Sequence, residues 1–171
     1  MTHRFWLCFR PCILGMFAAG LVGITINTMV LKAAPLLHIH PGAGGLLQLM
    51  LLCTQRWAPS LIPALHALGL TKPPSTVGFL WYHYATGLGM ILLYFCVFSP
   101  RLSGPRWWRA TLFSLFPWLV NSAIVLPLLG EGFAGLRVLS WSGALYFFFA
   151  NWLFVMVSDV SYQGRTRDES E

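Results

Sequence analysis

Four long apolar stretches divide the chain, and each is long enough to cross a membrane. Residues 12–31, 110–130 and 138–158 carry no charge, and residues 76–99 carry only His83. Each stretch reaches the ~20 residues that a helix needs to span about 30 Å of hydrocarbon. Because lipid offers no partners to backbone N–H and C=O groups, each stretch must be helical. The pattern predicts helices over residues 11–33, 76–99, 108–130 and 137–160.

The amino-acid composition also places the chain in a membrane. Of its 171 residues, 57% are hydrophobic and 9% are charged, whereas soluble domains contain about 25% charged residues. A core of this size cannot hide so much apolar surface from water, but a bilayer can. We therefore expect an all-α membrane protein with four transmembrane helices. It forms a single domain over residues 1–161, followed by a disordered cytoplasmic tail over residues 162–171.

The segment between the first two predicted helices, residues 34–75, does not have the pattern of a simple loop. Its apolar stretch GGLLQLMLLC is too short to span, and Gln55 and Arg56 disfavour a fifth span. In APSLIPALHALGL the apolar residues recur at helical spacing, which suits a helix lying in the membrane interface. We predict short interfacial or re-entrant helices in this first outer loop.

The distribution of Lys and Arg predicts the orientation, because the cytoplasmic flanks of membrane helices carry an excess of these residues. With the amino terminus inside, seven such residues flank the inner helix ends and four flank the outer ends. The inner set is Arg4, Arg10, Arg101, Arg106, Arg109, Arg165 and Arg167, and the outer set is Lys32, Arg56, Lys72 and Arg137. Both termini are therefore expected in the cytoplasm.

Small residues mark the faces on which the predicted helices pack. Gly15, Ala19 and Gly23 recur every four residues and form one stripe on the first helix. Gly87 and Gly143 belong to the corresponding stripes of the second and fourth helices. Small side chains let helix backbones approach closely in a membrane, so we expect these five residues at helix–helix contacts.

Four polar residues lie inside the predicted spans: Asn27, His83, Asn121 and Asn151. At 1.5 Å per residue, the first three lie roughly 9–12 Å below the outer helix ends, and Asn151 lies deeper. His83 then has three interpretations: a neutral side chain hydrogen-bonded to Asn27 or Asn121, a protonation or ligand site, or a ligand of a metal or haem. We predict that His83 faces the bundle interior and is neutral at pH 7.

The outer loops add five candidate residues: His38, His40, His66, Glu131 and Arg137. Two histidines two positions apart are a weak metal motif, because stable sites use three or four ligands. We therefore predict no metal site. Glu131 lies between two glycines in PLLGEGFAG, and it either pairs with Arg137 or an outer histidine, or belongs to a solvated hairpin.

Common catalytic motifs are missing from the sequence, which contains no G-x-S-x-G, no H-E-x-x-H and no P-loop. We predict that the protein is not an enzyme and is an accessory or structural subunit that packs laterally against a larger membrane complex. The alternative is a proton or small-solute conduit, or a pH sensor, that uses the His/Asn layer. Membrane lipids are expected partners, and nucleic acid is not. No cofactor is predicted, although the many aromatic side chains suit a bound lipid, pigment or quinone.

Three features together resemble the YagU-like group of small bacterial inner-membrane proteins. They are the glycine-striped first helix, the H-x-x-x-G pattern of His83 and Gly87 followed by Tyr94, and a third helix that runs into LPLLGEGFAG. The resemblance covers helices one to three, whereas the fourth helix has FFFANW in place of a His and a Gly. It implies a multi-pass protein of the bacterial inner (cytoplasmic) membrane.

Overall fold

The computed structural model describes residues 2–40, 45–70 and 75–168, and all regular structure in these ranges is helical. The helices are α1 (Thr2–Ala33), α2 (Gly45–Trp57), α3 (Ile62–Ala67), α4 (Thr76–Leu93), α5 (Arg106–Val120), α6 (Leu126–Leu128) and α7 (Trp141–Asp168). Within the described residues, four stretches are long and apolar enough to cross a membrane: Ile13–Leu37, Thr76–Phe98, Arg106–Leu128 and Trp141–Tyr162. The prediction of an all-α protein with four such helices is confirmed.

The four long helices alternate in direction. The Asn27 side chain of α1 bonds to the Ala150 carbonyl of α7, and farther along α1 the Val30 carbonyl accepts from the Tyr146 hydroxyl. Residue numbers thus rise on α1 as they fall on α7, so the two helices are antiparallel. The same holds for α1 with α4 and for α5 with α7. We call the end with residues 99–105 the terminal end of the bundle, because α1 begins and α7 ends there.

The helices follow the order α4, α1, α7, α5 around the bundle. The first helix packs against α7 and α4, and α5 packs against α7. At the terminal end α4 and α5 meet through aromatic rings, since the Phe98 ring centroid lies 5.0 Å from that of Phe113 and 5.9 Å from that of Phe116. One buried cluster joins all four helices: Ile24, Ile91, Tyr94, Phe95, Ala110, Phe113, Phe154 and Val155.

Close approach of α1 to its neighbours depends on the small residues of the predicted stripe. Ala19 is fully buried. A Cβ on Gly15 would lie 3.3 Å from the Tyr162 ring, and one on Gly23 would overlap the Ser158 hydroxyl. A Cβ on Gly87 would overlap the side chain of Ile24. These three glycines therefore lie at helix–helix contacts.

Gly143 has a different neighbour from the one that the sequence predicts. A Cβ at this position would overlap the backbone carbonyl oxygen of His40, which lies in the connection after α1. Gly143 therefore allows a loop to approach α7 and does not serve a contact between two long helices. The stripe pattern identifies a small residue facing inward but does not identify what it faces.

Two π-helical turns interrupt the spans. Tyr94–Phe98 extends α4, and Asn121–Val125 joins α5 to α6. In the first turn the Ser99 N–H donates to the Tyr94 carbonyl at 2.7 Å, five residues earlier. Pro127 follows the second turn and has no N–H to offer the regular helical pattern. Such turns occur frequently at functional sites, and here each begins at an inward-facing polar residue.

The segment between α1 and α4 forms short helices, as the sequence predicts, and one of them enters the bundle. At 13 residues α2 is about 20 Å long, too short to span. Its Leu47 and Leu51 pack with Leu70 against Phe79 and Tyr82 of α4. The first residue of α2, Gly45, lies against the Asn121–Val125 turn. Thus α2 fills the gap that α4 and α5 leave at the end opposite the terminal end.

Some helix limits differ from the predicted ones. The last helix begins at Trp141 and not at residue 137, because a 3₁₀ turn at Phe133–Gly135 and further turns occupy the preceding residues. It continues to Asp168, beyond the predicted end at residue 160, and the disorder of the tail stays a prediction. No proline occurs there to end the helix. Residues 169–171 lie outside the described residues.

Candidate functional site

A cavity of about 260 Å³ lies inside the bundle, and all four spans contribute to its wall. The four polar residues singled out from the sequence, Asn27, His83, Asn121 and Asn151, all line it. Asn151 therefore belongs with the other three, although helix depth alone places it apart. Because the four polar residues surround a volume large enough for a small molecule, this cavity is the candidate functional site.

The inward face of α4 supplies much of the cavity wall. Phe79, His83, Thr86, Gly87 and Met90 all line it. They recur at intervals of three or four residues, so they share one helix face. The opposing wall comes from the Asn121–Val125 turn and α7, and the first residues of α2 close the cavity at the end opposite the terminal end.

The expected hydrogen bond between His83 and Asn27 or Asn121 is not formed. The Asn27 Nδ2 donates to the Ala150 carbonyl at 2.9 Å instead, and the Asn151 Nδ2 donates to the Phe147 carbonyl at 2.8 Å. These bonds lie within the wall, because the four side chains surround a space and do not meet across it. The prediction of direct hydrogen bonding across the layer is therefore wrong.

Two of the four polar side chains keep unused hydrogen-bonding capacity. The Nε2 of His83 is buried and has no partner in the described part of the chain. Its ring is held between aromatic neighbours, stacked on Phe79 at 6.0 Å and edge-on to Tyr84 at 6.4 Å. The Asn121 amide, which has two N–H donors and an acceptor oxygen, forms no hydrogen bond with residues 2–40, 45–70 or 75–168.

The rest of the cavity wall is apolar and aromatic. None of the described residues that line it is Asp, Glu, Lys or Arg. Five phenylalanine rings contribute to the wall: Phe79, Phe113, Phe116, Phe147 and Phe154. An ion would lose its hydration in such a space without gaining a counter-charge, so the cavity suits an uncharged molecule.

The outer histidines do not join this site. His38, His40 and His66 are exposed, and His38 adopts a left-handed backbone conformation with φ of 55° at the end of a 3₁₀ turn. Among the described residues, no three His, Cys, Asp or Glu side chains lie close enough together to hold a metal ion. The structure thus brings the five outer candidates into no common cluster.

Glu131 and Arg137 contact each other through the backbone only. The Arg137 N–H donates to the Glu131 carbonyl at 3.0 Å, and the Arg137 guanidinium bonds to the Gly130 carbonyl at 3.4 Å. Their side chains form no ion pair in the described structure. Gly130 and Gly132 have φ values of 82° and 78°, which suit glycine and allow the tight turn at Glu131.

A second polar centre, which the sequence analysis does not identify, lies near the terminal end. Arg109 donates to Asp159 at 3.2 Å, and this is the ion pair of the described residues. Asp159 is almost fully buried, and the Arg109 guanidinium also bonds to Ser99 at 3.3 Å. In the sequence Asp159 follows an uncharged run and resembles a helix boundary. An acid one residue before a predicted helix end, with an arginine on the neighbouring span, is the signal that could have revealed the pair.

Comparison with protein families, with curated proteins and with solved structures finds no match to this chain.

Proposed function

We propose that the chain is a non-catalytic, multi-pass membrane protein that binds a small, uncharged, lipid-soluble molecule inside its helix bundle. The single observation that carries this proposal is the convergence of Asn27, His83, Asn121 and Asn151 on one cavity. Polar residues are costly in hydrocarbon, and the unpartnered His83 Nε2 and the Asn121 amide are available to bind a molecule in the cavity. The cavity is much larger than one water, which occupies about 10–15 Å³ in the same kind of measure.

The chemistry of the wall favours a planar molecule with hydrogen-bond acceptors at its edge. The Asn121 amide and one N–H of the neutral His83 ring can donate, and the Asn side chains can also accept. Aromatic walls favour flat rings, because offset stacking adds to the burial of apolar surface. A quinone ring combines these features, since it is flat, uncharged and carries two carbonyl acceptors.

Binding of decylubiquinone to the purified protein in lipid nanodiscs tests this proposal. We expect saturable binding to the wild type and about tenfold weaker binding to Asn121→Leu, the loss expected for one hydrogen bond of about 1.4 kcal/mol. Replacement of Asn121 should leave the fold intact, since its amide has no partner among the described residues. Ser122→Ala is the matched control, because Ser122 is buried next to Asn121 but does not line this cavity.

Two outcomes would count against this function. Uptake that rises linearly with decylubiquinone concentration would indicate partition into lipid and no site. Equal affinities for the wild type and Asn121→Leu would place the molecule elsewhere. The seven-to-four Lys/Arg distribution supports a cytoplasmic location of both termini. The resemblance to the YagU-like group supports a bacterial inner membrane. Association with a larger membrane complex stays a prediction.

A further inference from the structure

The lining of the cavity reaches the protein surface between α4 and α5. Leu46 of α2 and Phe116 of α5 both line the cavity, yet they are 49% and 47% exposed. The other lining residues are buried or half-buried. We call the opening bounded by Leu46 and Phe116 the mouth.

The mouth lies at a depth where the surroundings are hydrocarbon. Phe116 is near the centre of the Arg106–Leu128 span, about 15 Å along the helix from Arg106. Below the mouth, towards the terminal end, the Phe98 and Phe116 rings meet and close the contact between α4 and α5. Above it α2 fills the gap. A molecule that passes the mouth therefore comes from the interior of the bilayer and not from water.

We infer that the ligand is a tailed lipid whose uncharged head occupies the cavity and whose hydrocarbon chain leaves through the mouth into the bilayer. This inference rests on the proposed function, because it needs a molecule in the cavity. The tail would leave past the two most exposed residues of the lining, since the other described lining residues are buried or half-buried. The apolar Leu46 and Phe116 suit contact with such a chain.

A comparison of two probes and two variants tests the mouth. The first probe is decylubiquinone, and the second is the same ring with a methyl group in place of the decyl chain. Leu46→Trp narrows the mouth without removing any polar group of the cavity. We expect it to weaken binding of decylubiquinone at least tenfold and to change binding of the methyl analogue less than twofold. Ratios of variant to wild-type affinity, taken for each probe separately, cancel its partition into lipid.

Leu145→Trp is the matched control, because Leu145 is 61% exposed on α7 and does not line the cavity. It should leave both affinities unchanged. If the tryptophan ring of Leu46→Trp impairs folding, Leu46→Phe provides a milder change at the mouth. It should have a smaller effect on binding in the same direction. Equal weakening of both probes by Leu46→Trp, or no weakening of decylubiquinone, would overturn the tailed-lipid inference while leaving the cavity site in place. Failure of both probes to bind the wild type would overturn the proposed function together with this inference.

Discussion

Substitution of Gly23 by alanine should loosen the bundle, and the structure gives a basis for the size of the effect. The added Cβ would overlap the Ser158 hydroxyl and would lie 2.8 Å from the backbone carbonyl oxygen of Phe154. The hydroxyl can rotate, although it would lose its 2.9 Å bond to that carbonyl. The backbone oxygen belongs to α7 and cannot move without the helix. The two helices must therefore separate.

Gly89→Ala provides the reference, because a Cβ on Gly89 meets nothing within 4 Å. Both substitutions gain the same intrinsic helix preference of about 0.5–1 kcal/mol. Their difference therefore reports the packing term, which for an overpacked interior is typically ~1–3 kcal/mol. Gly87→Ala should fall between them, because its Cβ overlaps the end of the flexible Ile24 side chain, which borders the cavity and can shift into it.

Thermal unfolding in detergent, followed by tryptophan fluorescence at a fixed scan rate, gives a Tm for each of the three variants and so ranks their stability. The packing term corresponds to a Tm for Gly23→Ala roughly 2–12 °C below that of Gly89→Ala. Gly87→Ala should lie nearer to Gly89→Ala in Tm but should bind decylubiquinone less well, because Ile24 then occupies part of the cavity. Equal Tm values for Gly23→Ala and Gly89→Ala would refute the close α1–α7 contact.

Three further predictions concern the ion pair, the orientation and association. Arg109→Met should lower the Tm more than Asp159→Asn, because it leaves a carboxylate of 2% exposure unpaired, at a cost of ~3–5 kcal/mol, whereas the arginine is 18% exposed and can reach water. The reverse order would contradict this. A cysteine at Ser170 in a background without native cysteines should resist an impermeant thiol reagent in intact cells; labelling would reverse the proposed orientation. In native gels of the source membrane the protein should migrate with a larger assembly, and migration as a monomer would count against a subunit role.

The four spans could be predicted because each signal lies within one uninterrupted stretch of sequence. Apolar length determines a membrane helix whatever its neighbours are. The inward faces could also be predicted, since small and polar residues recur at helical intervals, as Gly15, Ala19 and Gly23 do. Both signals depend only on residues that are close together in the sequence, so they can be recognised without knowing which helices become neighbours.

The position of α2 and the pairing of Asp159 could not be predicted in this way. The apolar face of α2 is equally suited to lipid and to protein, and only the gap between α4 and α5 determines where it packs. In the sequence Asp159 marks the end of a span, because the fourth predicted helix stops at residue 160. Once the helix continues to Asp168, the acid lies inside it and needs the arginine of α5 as a partner.

The arrangement of the two polar centres favours binding over conduction. A conduit for protons or solutes requires polar groups or water along its whole length, because transfer through hydrocarbon is costly. Here Phe113, Phe154 and Val155 line the cavity and also belong to the buried apolar cluster between the cavity and Asp159. The Phe113 ring packs directly on Tyr94, with 5.1 Å between centroids. The cavity therefore ends in packed side chains on this side, which supports the proposed binding site over a path across the membrane.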